Sequence, residues 1–157
     1  MNESLFEASE ELKRLEHTIY VTLKYTRTVD VIKNALKKLI SVFDLIIHAL
    51  LKDAQEKKLL TEIPKSPSLK STLVLQTYPQ DKNLLKFITF YAFLRDTLNA
   101  KQQAKKEEYR RHVTLIAHLK NKTAQIDIDN LGTCEKIARQ FFDYAYGLIE
   151  GKKEEDD

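Results

Sequence analysis

A run of apolar residues spaced alternately three and four apart, Val29, Ile32, Leu36, Leu39, Phe43, Ile46 and Leu50, constrains this chain more than any other feature. That spacing is the period of one helix face. Ile40, Ile47, Leu51 and Ala54 widen the stripe on one side, and Lys33, Lys37, Lys38 and Asp44 lie elsewhere on the wheel. So broad a stripe suits a globular bundle better than a two-stranded seam. From Val29 to Leu51 the helix should run about 35 Å at its usual rise. It can therefore reach across a whole small domain. Thr28 is its expected cap.

Few residues interrupt the rest. The chain has 3 glycines and 3 prolines in 157 residues, so forced breaks are rare and helices are favoured. Ser4 to Glu7 reads as a capping box, and Leu5, Ala8, Leu12, Leu15 and Ile19 then form an apolar stripe. Tyr25 to Thr28 should break this first helix. Asp53 to Lys58 reads as a solvated, charged end, and Pro64 and Pro67 mark a linker. A short helix is expected from Ser68 to Thr77, ended by Pro79, with Asp81 capping the next. Leu84, Leu85, Phe87, Ile88, Phe90, Tyr91, Phe93, Leu94 and Leu98 leave that next helix apolar nearly all round. Such a helix is central in a core or lies in an interface, and a homodimer is the expected partner state.

The charged stretch from Ala100 to Arg111 either extends that helix or forms a separate one. The period then changes. Val113, Leu115, Ala117 and Leu119 alternate with Thr114, Ile116 and His118, and Ile126 and Ile128 alternate with Gln125, Asp127 and Asp129. This predicts a β-hairpin with its turn near Asn121; a helix through Val113 to Leu119 is the competing reading. A hairpin alone is marginal in water, so it should pack on the bundle or pair with another chain. The last helix is expected from Asn130, its cap, to Ile149, with Leu131, Cys134, Ala138, Phe141, Ala145 and Leu148 on one stripe and Gly151 as the stop. The expected fold is mainly α: an antiparallel bundle of four to five helices with a small β-hairpin at about 113–128 before the C-terminal helix. One domain should span 1–151, and the acidic tail 152–157 should be disordered.

Several function classes drop out. The single Cys134 excludes an intramolecular disulfide framework, and a reducing, cytoplasmic setting is expected. Three glycines are too few for most phosphate-cradling loops. No uncharged run is long enough to span a membrane. The candidate metal ligands are His17, His48, His112, His118 and Cys134, and none has zinc-type spacing. On a hairpin His112 and His118 would share one face, and Asp127 and Asp129 another strand's face. They read as a solvated surface rather than a metal site, and no cofactor is implied. There is no Gly-x-Ser-x-Gly motif, and Cys134 sits on an apolar stripe, where it packs as a small hydrophobe.

The formal charge of +3 hides an uneven distribution. Lys101 to Lys122 holds 7 basic against 2 acidic side chains, and Lys24 to Lys38 holds 5 against 1. The acidic residues gather at the two ends. A localised anion-binding face would have this signature. Lys24, Arg27, Tyr109, Arg110, Arg111 and His112 are the candidate nucleic-acid residues, the cations gripping phosphate and the tyrosines stacking on bases.

Leu23 to Ile32, running on to Leu51, and Tyr109 to Thr114 resemble a family of small, mostly helical archaeal proteins of unassigned function. That resemblance implies no activity. The chain is also similar to HEPN domains, four-helix modules that are often dimeric and often ribonucleases. Their signature pairs an Arg with a His a few residues on, and Arg111 and His118 fit it. The resemblance implies RNA cleavage by that pair at a helical dimer seam. Three functions follow from these readings: a non-catalytic helical binding or assembly module engaging a protein partner, a protein that binds RNA or DNA through the basic face, and a HEPN-like ribonuclease.

Overall fold

The computed structural model describes residues 2–151. The expected acidic tail lies outside the described residues. The elements are α1 (Glu3–His17), a π-helical segment (Thr18–Thr22), α2 (Leu23–Tyr25), α3 (Val29–Glu56), α4 (Pro67–Thr77), α5 (Lys82–Leu98), β1 (Gln102–Lys106), β2 (Thr114–His118), β3 (Thr123–Ile126), α6 (Ile128–Tyr146) and a closing π turn (Gly147–Gly151). The fold is mainly α, with a small antiparallel sheet before the C-terminal helix.

Helix α3 is the spine. Its expected stripe is buried from Val29 through Ala54, and it packs on α1, α4, α5, α6 and β2. Thr28 caps it, its hydroxyl accepting from the Val31 amide at 3.2 Å. Its C-terminal end departs from expectation. The helix continues to Glu56, and Asp53 is only 3% exposed rather than solvated. The Lys57 ammonium at 2.6 Å compensates that carboxylate.

Helix α1 begins at Glu3, not Ser4. Asn2 is the cap, accepting from the Leu5 amide at 3.0 Å while its Nδ2 donates to the Ala49 carbonyl at 3.0 Å. One side chain thus ends α1 and ties it to α3, which a Ser4 box could not do. Asp81 caps α5 as expected, accepting from the Leu84 amide at 3.0 Å. Most of the apolar surface of α5 finds partners inside the chain. Phe87 stacks on Phe141 at 4.8 Å, and Phe43 packs against Phe90, Tyr91 and Phe141 at 5.9, 6.1 and 5.2 Å. Lys122 sits over Phe93 at 4.8 Å.

The segment expected to be helical from Ala100 to Arg111 contains β1 instead. Its residues are exposed on both faces apart from the half-buried Gln103, so it carries no apolar alternation. It is a strand because it pairs with β2, from Gln102 opposite His118 to Lys106 opposite Thr114. The expected hairpin is present: β2 pairs β3, with Leu115 opposite Ile126 and Ala117 opposite Ala124. Those four side chains are buried. The sheet therefore has three strands in the order β1-β2-β3, and it packs on the bundle through β2 against α3 and α5.

Helix α6 starts at Ile128, capped by Asp127 rather than Asn130. The two form a reciprocal box: Asp127 accepts from the Asn130 amide at 2.9 Å, and Asn130 accepts from the Asp127 amide at 2.8 Å. Cys134 is buried on the α6 stripe, where burial pushes its thiol up to about 11. Among the described residues no helix is long and apolar enough to cross a membrane.

Candidate functional site

Three segments far apart in sequence meet at one end of the sheet. The first is the π-helical segment with the turn after α2. Here the α1 stripe ends and the helix widens, so Ile19 is buried while Tyr20 and Val21 are 51% and 41% exposed. Insertions of this kind inside α-helices cluster at functional sites because they re-aim side chains. The second segment is the β1–β2 loop, and the third is the β3–α6 junction. Together they line a half-enclosed cavity of about 250 Å³ with Ile19, Tyr20, Lys24, Arg27, Arg111, His112, Asp127, Ile128 and Asp129.

The loop from Glu107 to Val113 is held in place by more than its own turns. Glu107 and Tyr109 take left-handed backbone angles, φ 54° and 66°, which cost non-glycine residues energy unless the surroundings fix them. The surroundings do. The Tyr109 amide donates to the Arg27 carbonyl at 2.6 Å. The Glu108 carboxylate accepts from the Val29 amide at 3.0 Å, at the start of α3. Lys105 adds ion pairs with Glu108 at 3.6 Å and Asp30 at 3.8 Å. Inside the loop, the Arg110 amide donates to the Glu107 carbonyl and the Val113 amide to the Arg110 carbonyl. Val113 is fully buried and anchors the far end. The loop is thus locked onto the α2–α3 turn, and Arg27 and Arg111 share a cavity as a result.

Of the candidate nucleic-acid residues, Lys24, Arg27, Arg111 and His112 all line the cavity. Arg110 does not. Tyr109 lies outside it, next to Arg27 in the fold and 78% exposed. Tyr25 is equally exposed, with Lys24 5.9 Å from its ring centre. Among the described residues none of Lys24, Arg27, Arg111 and His112 has a carboxylate within ion-pair distance, although Asp127 and Asp129 share the cavity. Arg27 Nε is buried and finds no hydrogen-bond acceptor among the described residues. A buried donor of this sort calls for an acceptor from outside.

The other candidates separate. His118 is at the far end of β2 from Arg111, four strand residues or about 13 Å beyond Thr114. Its Nδ1 lies 3.5 Å from Thr123 Oγ1. Arg111 and His118 therefore do not face one site, and a strand rather than a helix lies between them. The strand faces expected for His112 with His118 and for Asp127 with Asp129 do not form, because Asp127 caps α6 and Asp129 is in its first turn; His112, Asp127 and Asp129 meet instead as walls of the cavity, without His118. No group of three or more His, Cys, Asp or Glu placed to hold a metal occurs among the described residues.

Sequence reasoning missed Tyr20 as a wall of the site, since a π-helical segment leaves no periodic mark. The available signal was Tyr20 and Val21, two large apolar residues off the α1 stripe. No family model, curated protein or solved structure matches the chain, so its function has to be read from the geometry of this cavity.

Proposed function

We propose that the chain is a binding module, rather than an enzyme, that holds single-stranded nucleic acid by its phosphate backbone. One observation carries this reading: Lys24, Arg27, Arg111 and His112 converge from separate segments on one cavity, and none of them is in an ion pair among the described residues. Lys24, Arg27 and Arg111 outnumber the carboxylates of the same cavity, Asp127 and Asp129, and form no direct ion pair with either; an excess of positive charge in a concave site raises the local concentration of anions. Guanidinium groups match phosphate geometry in particular. The cavity is smaller than the roughly 300–1,000 Å³ that takes a whole drug-sized ligand. It suits a phosphate and part of a sugar, with the base left outside. Tyr20 is a half-exposed wall of the cavity, and outside it stand the exposed rings of Tyr25 and Tyr109; these are platforms on which unstacked bases pack regardless of sequence. A duplex hides those base faces, which is why a single strand is favoured.

The test is fluorescence anisotropy with a labelled strand of about a dozen nucleotides, titrated over a range of salt. Wild type should bind at low salt and weaken steeply as salt rises. Arg27→Ala with Arg111→Ala should weaken binding about tenfold or more and flatten the salt slope by about 0.7 for each phosphate that is no longer neutralised. A double variant that is folded by circular dichroism and binds like wild type would overturn the reading.

A further inference from the structure

Resting on the reading above, we infer that the strand is RNA, with the Asp129 carboxylate accepting a hydrogen bond from the 2′-hydroxyl of the nucleotide whose phosphate lies on Arg27 and Arg111. The cavity is not uniformly basic. Asp127 and Asp129 form its third wall. Neither is in a direct ion pair, since none of the cavity's basic groups lies within 4 Å of either carboxylate, so the cations do not occupy their lone pairs. Asp127 is committed to capping α6 through Asn130. Asp129, in the first turn of the same helix, is exposed and engages no other side chain through a hydrogen bond among the described residues.

A carboxylate beside a phosphate-binding group repels the phosphate unless the ligand supplies a donor between them. Ionised, it can only accept. In the sugar-phosphate unit of a nucleic acid strand, the one donor is the ribose 2′-hydroxyl, which DNA lacks. Base amino groups lie at the other end of the nucleotide, and the cavity of about 250 Å³ does not extend to hold a base as well. The mixture of cations and one available acceptor therefore matches a phosphate with its neighbouring ribose. It does not match a phosphate alone.

The experiment compares three labelled strands of the same sequence, RNA, DNA and 2′-O-methyl RNA, on wild type and Asp129→Ala at low salt. Wild type should bind RNA about tenfold tighter than the other two, as a lost hydrogen bond to a charged group implies. Asp129→Ala should close that gap. Equal binding of RNA and DNA by wild type would overturn the inference and leave the nucleic-acid reading standing. Absence of binding to any strand would overturn the reading itself. A gap that persists in folded Asp129→Ala would remove Asp129 from the role. Should that variant fail to fold, the 2′-O-methyl strand decides on wild type, because it keeps the oxygen and loses the donor. A free uridine 3′-monophosphate that competes as well as the RNA strand would overturn the strand as the ligand.

Discussion

The Val29 amide, at the start of the longest helix, donates to the Glu108 carboxylate 79 residues further along the chain at 3.0 Å. The loop that carries Arg111 and His112 thus also caps the spine of the bundle. Side-chain caps of this type contribute about 1 kcal/mol. Glu108→Ala should therefore lower stability by about 1 kcal/mol, seen as a melting midpoint lower by about 2–4 °C. It should also weaken strand binding, because Arg111 loses its fixed place beside Arg27. Unchanged stability would mean that the loop merely rests on α3.

Tyr109 keeps its backbone in the left-handed region, φ 66°, while its ring stays 78% exposed. An exposed ring brings little burial to offset that strain, which for an L-residue is about 1–2 kcal/mol. Glycine adopts the same angles freely. Tyr109→Gly should consequently be more stable than Tyr109→Ala by about 1 kcal/mol in urea denaturation, the remaining side-chain loss being common to both. Both should bind a single strand about tenfold or more weaker than wild type, as loss of a base platform implies. If alanine and glycine are equally stable, the backbone there is not strained.

What was legible in the sequence follows from where the information lies. The α3 stripe, the Thr28 and Asp81 caps and the β2–β3 alternation are local patterns, and each recurs in the fold. β1 was not legible: Gln102 to Lys106 is exposed on nearly every residue, and only its pairing with β2 makes it a strand. Asp53 reads as solvated because a charge beside other charges looks like a surface, and the compensating Lys57 ammonium acts only once α3 continues past Leu51. The basic residues of the site were nameable from charge and aromatic neighbours. Their meeting was not, since it depends on the Tyr109–Arg27 and Glu108–Val29 hydrogen bonds across the chain. Arg110 and Arg111 are adjacent and chemically alike, and only the turn at Glu107–Val113 decides that Arg111 alone lines the cavity.

At the α3–α4 contact, His48 Nδ1 lies 3.3 Å from the Lys70 ammonium. An ammonium only donates, so Nδ1 accepts and the ring proton belongs on Nε2. Burial, and then the nearby Lys70 and Lys52, hold the imidazole below its ordinary value of 6.5. A folded value below the unfolded one means stability that is present above about 6.5 and lost as pH falls through the folded value. His48→Gln keeps an acceptor for Lys70 and cannot gain a proton. Between about pH 8 and about pH 5, wild type should lose more of its urea midpoint than His48→Gln. Parallel losses would show that the imidazole is not protonated at that contact on acidification.

Asp53 is 3% exposed, and its partner Lys57, 34% exposed, is 2.6 Å away. Removing one member of a buried pair leaves the other charged without compensation, whereas replacing both by apolar groups is often neutral. Because Lys57 is a third exposed, water can screen part of the loss, so the effect should fall below the usual range of about 3–5 kcal/mol. Lys57→Met should lower stability by about 2–3 kcal/mol, or a melting midpoint lower by roughly 5–10 °C. Asp53→Leu combined with Lys57→Met should recover most of that loss, since neither charge then needs a partner. If the double variant is as unstable as the sum of its single changes, the pair contributes by packing rather than through charge, and a double-mutant cycle in urea separates the two cases.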